Sequence, residues 1–142
     1  MTTFRFLLDT NILSEPLRPH PNSNVVKMLQ QQEGLIATAT VVLHELLFGC
    51  YRLPAQSNKR RIIEVYLNRE VRQKIPILSY DTAAAEWFAL ERARLVSIGK
   101  TPAYSDGQIA AIAQVNNLTL VTNNVSDYTD FQNLRIENWL IA

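Results

Sequence analysis

The amino-acid sequence predicts an α/β fold in which helices cover both faces of a mostly parallel sheet, a three-layer α/β/α arrangement. Short apolar runs alternate with longer segments of helical periodicity along the whole chain. That alternation is typical of parallel strands connected by helices. The chain has 142 residues, of which 47% are hydrophobic and 19% are charged, which is enough apolar material for one packed core. We therefore expect a single domain over residues 1–142.

The first half of the chain predicts two strands, each followed by a helix. The apolar run at residues 4–8 leads into Asp9, whose side chain suits the start of a helix. A second strand is expected at residues 35–39. Thr40 is then predicted to cap a helix over residues 41–53.

The second half predicts helices over residues 58–74, 81–99 and 104–117 and strands over residues 75–78, 118–122 and 134–136. Pro76 cannot donate a ladder hydrogen bond, so its strand is expected at an edge of the sheet. The helical period places Ile98 on the core face of the second of these helices. The chain shows no internal repeat.

Charge and cysteine content exclude several classes of protein. The 14 Lys and Arg residues are offset by 13 Asp and Glu, and the net charge of +1 does not by itself indicate nucleic acid or a membrane surface. No apolar run approaches the ~20 residues that span a bilayer. The N-terminal residues lack a secretory leader pattern, and the single Cys50 cannot form an intramolecular disulfide. We expect a cytoplasmic protein without a membrane segment.

Three carboxylates occupy positions near the predicted strand ends. Asp9 follows the first strand, Glu45 lies in the helix after the second, and Asp106 begins the helix that precedes residues 118–122. Ligands of open parallel sheets bind outside the carboxyl ends of the strands. Carboxylate oxygens suit Mg²⁺ or Mn²⁺, ions that activate water and neutralise phosphodiester charge. We expect the three acids to converge on such an ion.

Each carboxylate also has an interpretation without a function. Asp9 is a preferred N-cap residue, and Asp106 lies within a capping-box pattern from Ser105 to Gln108, where the helix dipole favours a carboxylate. Glu45 has no basic residue three or four positions away, so burial would require a cation or a distant base. A helix turned to place Glu45 in water would remove that requirement. The sequence leaves these alternatives open.

The polar segment after residues 118–122 offers Asn124 or Asp127 as a further member of the site. An ordinary Asn-rich turn is the alternative. Positive side chains near the site would be needed for RNA, and the candidates are Arg18, Arg60 and Arg61, with solvated helix faces as the alternative.

Four short segments, taken in order, carry a resemblance to a known family. They are residues 8–15 (LDTNILSE), residues 44–46 (HEL) with 48–49 (FG), residues 105–110 (SDGQIA) and residues 120–124 (LVTNN). Together they resemble the PIN-domain ribonucleases, and in particular the VapC-type toxins of bacterial toxin–antitoxin pairs. The match runs nearly from end to end of the chain.

The resemblance implies a three-layer α/β fold and hydrolysis of RNA, often a tRNA, with Mg²⁺ or Mn²⁺ as cofactor. It implies that Asp9, Glu45 and Asp106 are the acidic site residues. The family frequently has a fourth acid where this chain has Asn124, with Asp127 three residues later. The resemblance further suggests a homodimer and a small VapB-like antitoxin that fills or blocks the site.

In the family motif, the positions of Thr10 and Asn11 carry side chains that order the first carboxylate. Our hypothesis is that Asp9 and Asp106 hold a divalent ion and that Glu45 helps to position or deprotonate the attacking water, while Asp127 supports the ion or a water bound to it.

Two other function classes fit part of the pattern. One is a catalytically weak PIN-like module that only binds RNA or a protein. The other is a receiver-like phosphoacceptor domain, which also places acids at strand ends around Mg²⁺. The receiver-like class expects a lysine at the last strand, and residues 122–124 contain none.

Overall fold

The computed structural model describes residues 4–142, which form one parallel sheet with helices packed around it. Its strands are β1 (Phe6–Leu8), β2 (Ile36–Ala39), β3 (Ile77–Leu78), β4 (Thr119–Val121) and β5 (Ile136–Glu137). Its α-helices are α1 (Thr10–Ser14), α2 (Ser23–Gln31), α3 (Thr40–Tyr51), α4 (Asn58–Tyr66), α5 (Thr82–Ser97) and α6 (Tyr104–Val115). A π-helical turn (Leu67–Arg72) extends α4, and 3₁₀ turns cover Glu15–Leu17 and Val125–Asp127. The predicted α/β/α fold is confirmed.

The strand order places one crevice above the middle of the sheet. The order is β3-β2-β1-β4-β5, and every neighbouring pair is parallel. The chain leaves β1 towards β2 and later returns to β4 on the other side of β1. Such a reversal opens a crevice at the carboxyl ends of the two strands. Leu8 is paired there with Val121 of β4, so the residues just after each border the crevice.

The core explains why these residues form the central layer. Leu7 and Leu8 of β1 are fully buried, as a strand covered on both faces requires. In α6, the small residues Ala110 and Ala111 are also fully buried. No membrane-crossing helix is present among the described residues, since none is both long and apolar enough.

Gly107 lets α6 lie against α5. A Cβ built on Gly107 would sit 2.0 Å from the ring of Phe88, so only a residue without a side chain fits there. Phe88 is itself buried on α5. This close approach determines where the first turn of α6, and therefore Asp106, stands relative to the sheet.

The predicted edge position of Pro76 is confirmed. The strand it precedes, β3, lies at one end of the sheet order. Pro76 donates nothing, but its carbonyl accepts a hydrogen bond from the Thr38 N–H at 3.0 Å.

Two predicted caps are wrong. Ala39, in an extended conformation, is the N-cap of α3, and Thr40 is its first helical residue, because β2 runs directly into the helix. The N-cap of α6 is Ala103, without a side-chain cap, so Ser105 lies inside the helix. Ala103, with ψ 140°, is the last extended residue, and the helix starts at Tyr104, one residue before Ser105.

Two further predictions need correction. The single helix expected over residues 58–74 is α4 followed by the π turn, where Leu67 and Val71 both enter the core. Ile98 is 57% exposed rather than on the core face. It follows the end of α5 as its C-cap, with non-helical dihedral angles that break the 3.6-residue period.

Candidate active site

Asp9 combines the two interpretations that its sequence position allowed. It is the N-cap of α1, and its Oδ1 accepts a hydrogen bond from the Thr10 N–H at 2.8 Å. Its own N–H donates to the Val121 carbonyl at 2.9 Å, which continues the ladder between β1 and β4. The residue is only 5% exposed. The carboxylate therefore stands at the centre of the crevice, fixed by the sheet below it.

The second oxygen of Asp9 is held by donors from three places in the chain. Asp9 Oδ2 accepts from the Thr122 hydroxyl at 2.9 Å, from the Tyr128 hydroxyl at 3.2 Å and from Asn11 Nδ2 at 3.4 Å. Thr122 is fully buried at the end of β4. Asn11 also accepts, through Oδ1, the Asn123 N–H at 2.9 Å, which ties α1 to the loop after β4. These contacts leave the Asp9 side chain little freedom to rotate.

Glu45 lies beside Asp9 through Thr10. The Thr10 hydroxyl donates to Glu45 Oε2 at 2.6 Å. Glu45 is half-buried on α3, so the helix is not turned to place it fully in water. Thr10 thus bonds Asp9 with its backbone and Glu45 with its side chain, so its hydroxyl orders Glu45 and not, as expected, the first carboxylate.

Asp106 meets Asp9 across a single hydroxyl. The Tyr128 hydroxyl oxygen lies 3.3 Å from Asp106 Oδ1 and 3.2 Å from Asp9 Oδ2. Burial, with the nearby charges of Asp9 and Asp106, raises the pKa of Tyr128 far above its ordinary value, so the phenol keeps its proton. One proton cannot serve both carboxylates at once. The two acids therefore compete for it whenever both are charged.

The negative charge of the site is concentrated around Asp106. Burial, followed by the charges of Asp127 and Asp9, raises the pKa of Asp106 to about 6, against the lowering effect of the Tyr128 hydrogen bond. Glu45 adds a smaller contribution of the same sign. The other three predicted acids thus all raise the pKa of Asp106.

The two candidates for the fourth acidic position, Asp127 and Asn124, lie in different surroundings. Asp127 lines, together with Asp106 and Lys100, a cavity of about 410 Å³ beside the site. Asn124 has an exposed side chain, and its backbone N–H donates to Thr122 Oγ1 at 3.0 Å. Asp127 is therefore the one of the two that adds negative charge near Asp106.

The predicted RNA-binding arginines lie in different settings. Arg18 pairs with the buried Glu15 at 3.5 Å. Arg60 pairs with Glu64 at 2.6 Å and is mostly buried, while Arg61 is exposed. Their contact with RNA stays a prediction.

Sequence reasoning missed Thr122 and Tyr128 as members of the site. Tyr128 lies 119 positions from Asp9, in a stretch from which only Asn124 and Asp127 were selected as candidates. It is the one aromatic side chain in residues 122–130, and a lone amphipathic ring in a polar loop was the available signal. Thr122 was missed for a similar reason, because it begins the same polar stretch.

The donor set fits a hard divalent cation. In residues 4–142, none of Asp9, Glu45, Asp106 and Asp127 forms an ion pair. Hydrogen bonds satisfy the oxygens of Asp9 without supplying an opposite charge, which a buried carboxylate needs. Among the described residues, no three Asp, Glu, His or Cys side chains come together as a group that could hold a metal ion. Mg²⁺ typically uses one or two carboxylates and keeps its waters, so an open pair such as Asp9 and Asp106 suits it.

The five-stranded parallel sheet and the acidic residues around its crevice together define the class of protein to which this chain belongs. The chain belongs to the PIN-domain family, whose family model matches residues 6–131. The resemblance found in the sequence is thereby confirmed.

Several similar proteins carry the name VapC or are described as toxins. The chain is 31% identical to a protein described as tRNA(fMet)-specific endonuclease VapC from Shigella flexneri, over 95% of this chain and 98% of the other. It is 33% identical to Toxin FitB from Neisseria gonorrhoeae, over 86% of this chain and 89% of that one. A crystal structure of VapBC2 from Rickettsia felis, bound to a DNA fragment from their promoter, superimposes with a TM-score of 0.82 at 27% identity, covering 96% of this chain and 99% of that one.

Proposed function

We propose that this protein is a VapC-type toxin, an endoribonuclease that depends on Mg²⁺ or Mn²⁺. The observation that carries the proposal is the pair of carboxylates, Asp9 and Asp106, both within hydrogen-bond distance of one hydroxyl at the crevice of the sheet. Membership in the PIN-domain family and the names of its relatives support RNA as the substrate class. They also argue against a receiver-like phosphoacceptor domain.

Each acidic side chain has its own role in this proposal. Asp9 and Asp106 hold the cation, which, when bound, acts as a Lewis acid that lowers the pKa of water and neutralises phosphodiester charge. Glu45 keeps one oxygen occupied by Thr10 and uses the other to orient the attacking water and accept its proton. Asp127 adds a further carboxylate on the side of Asp106.

Substrate and partners form the finer part of the proposal. The name of the Shigella flexneri relative supports a tRNA as the RNA that is cut. Similarity to Toxin FitB and to the VapBC2 structure supports a small VapB-like antitoxin as partner. We also propose a cytoplasmic homodimer, which light scattering of the purified protein would test through its mass.

Cleavage of RNA by carboxylate variants tests the catalytic part. Asp9→Asn and Asp106→Asn each keep the shape of the side chain and remove its charge, so each is expected to lower the cleavage rate at least ~100-fold, as loss of a metal ligand should. Asp81→Asn makes the same change outside the site. Its carboxylate caps α5, and asparagine caps equally well, so its rate should match wild type.

Controls separate the proposal from its alternative. Removing divalent metal with EDTA should stop cleavage, and adding Mn²⁺ should restore it. A wild-type protein that binds RNA or an antitoxin but cuts nothing would favour the catalytically weak module. Equal activity in wild type, Asp9→Asn and Asp106→Asn would contradict the proposed site.

A further inference from the structure

The Tyr128 hydroxyl contacts two acids of the site, and the catalytic roles proposed for the acids do not involve it. Among the hydrogen bonds of the described residues, those of this hydroxyl alone reach both Asp9 and Asp106. We propose that Tyr128 is a positioning residue, whose hydroxyl sets the Asp106 carboxylate relative to Asp9 and thereby sets the affinity of the site for a divalent cation. The inference rests on the proposed function, because the site must bind a cation for the position of Asp106 to matter.

The dependence on Tyr128 is unequal between the two acids. Asp9 also accepts hydrogen bonds from the Thr10 N–H, from Thr122 and from Asn11. The carboxylate of Asp106 accepts, in residues 4–142, from Tyr128 alone. Loss of the hydroxyl therefore leaves Asp9 in place and releases Asp106.

Tyr128 is itself held firmly enough for this role. Its side chain is 1% exposed. The chain just after it is bound to α5, since Glu91 Oε2 accepts the Gln132 N–H at 2.6 Å and Arg94 donates to the Asp130 carbonyl at 2.8 Å. A ring fixed by burial and by these contacts can fix a neighbour through its hydroxyl.

Calorimetric titration of Mn²⁺ tests the inference with a matched pair of variants. Tyr128→Phe removes only the hydroxyl and is expected to weaken Mn²⁺ binding about tenfold, as loss of an outer contact to a ligand does. Tyr66→Phe removes a partly buried hydroxyl, which donates to the Leu13 carbonyl outside the acidic site. It should leave the Mn²⁺ affinity unchanged. An unchanged affinity in Tyr128→Phe, or an equal loss in both variants, would overturn the inference.

Crystal structures grown without divalent metal supply a readout that needs no cation. In Tyr128→Phe we expect Asp9 in its wild-type position and the Asp106 carboxylate rotated or in several rotamers. An Asp106 that keeps its wild-type position would overturn the inference. If wild type binds no Mn²⁺, the proposed metal dependence fails, and the crystal structures still decide whether the hydroxyl positions Asp106.

Discussion

The two sides of the acidic site are built differently. Asp9 is buried at the end of the central strand and accepts hydrogen bonds from the backbone of Thr10 and from three side chains. Asp106 is half-buried at the start of α6, whose N-cap supplies no side-chain hydrogen bond, and its carboxylate borders an open cavity. Its pKa is raised to about 6 by burial and then by the charges of its neighbours.

This difference shows which part of the site the fold stabilises without help. The sheet and its loops hold Asp9 in place, so its side chain is already ordered before a ligand binds. Asp106 is placed by helix packing and by one hydroxyl, and its charge is disfavoured where it stands. A cation therefore stabilises the Asp106 side more than the Asp9 side, and each prediction below tests one half of this contrast.

The largest expected effect comes from Gly107, which lets α6 pack on α5. Gly107→Ala places a methyl group against the buried Phe88 ring and should lower the free energy of unfolding by about 3 kcal/mol. Gly49→Ala is the control, because a Cβ there meets nothing within 4 Å inside a helix. It should stabilise the protein by about 0.5–1 kcal/mol. Urea denaturation measures both, and a harmless Gly107→Ala would show that α6 does not depend on this contact.

Amide substitutions at the two acids should change stability in opposite directions. Asp9→Asn points an NH₂ group at donors that need an acceptor and should lower the free energy of unfolding by about 2 kcal/mol. Asp106→Asn removes a disfavoured charge and should raise that free energy by about 1 kcal/mol above about pH 6, a figure reduced for solvent screening. Denaturation without divalent metal tests the pair. A change in the free energy of unfolding with the same sign in both variants would contradict the difference between the Asp9 and Asp106 sides.

The pH dependence of Mn²⁺ binding should follow Asp106. A raised pKa means that the carboxyl is protonated below about pH 6, and a proton must leave before the ligand can bind metal. The affinity of wild type should therefore fall about tenfold for each pH unit below that value. Calorimetry in buffers of different pH measures it, and an affinity independent of pH through this range would show that Asp106 is not a ligand.

Glu91 tests the support on the Asp106 side. Its hydrogen bond with Arg94 outweighs burial and lowers the pKa of Glu91, so its stabilisation is present at neutral pH and is lost as the pH falls through that lowered value. Glu91→Gln should cost about 1 kcal/mol at neutral pH and nothing in strong acid. Glu70→Gln, in an exposed pair with Lys74, is the control and should change stability by less than about 0.5 kcal/mol. Equal losses in both variants would contradict a special role for Glu91.

The sequence predicted the parts of this molecule that depend on local pattern. Apolar runs that end in polar residues identified β1 and Asp9, and Pro76 identified the edge strand. The missing basic neighbours of Glu45 indicated that it would need a partner if buried, but Thr10 is 35 positions away and no periodicity points to it. The predicted cap residues failed at α3 and α6, because Ala39 and Ala103 occupy the N-cap positions without a side-chain hydrogen bond that a sequence pattern could show.

The contacts around the Asp9 carboxylate could not be predicted in this way. Tyr128 and Thr122 reach it from the far end of the chain, and only the pairing of β4 beside β1 brings them there. Such contacts depend on three-dimensional packing rather than on spacing along the chain.

The central claim is that Asp9 and Asp106 bind one divalent cation between them. A crystal of the wild-type protein soaked in Mn²⁺ and measured at the manganese absorption edge tests it directly. We predict one anomalous peak within about 2.0–2.2 Å of an oxygen of each carboxylate, the ligand distance of a small divalent ion. The absence of a peak there, or a peak bound only by other residues, would contradict the claim.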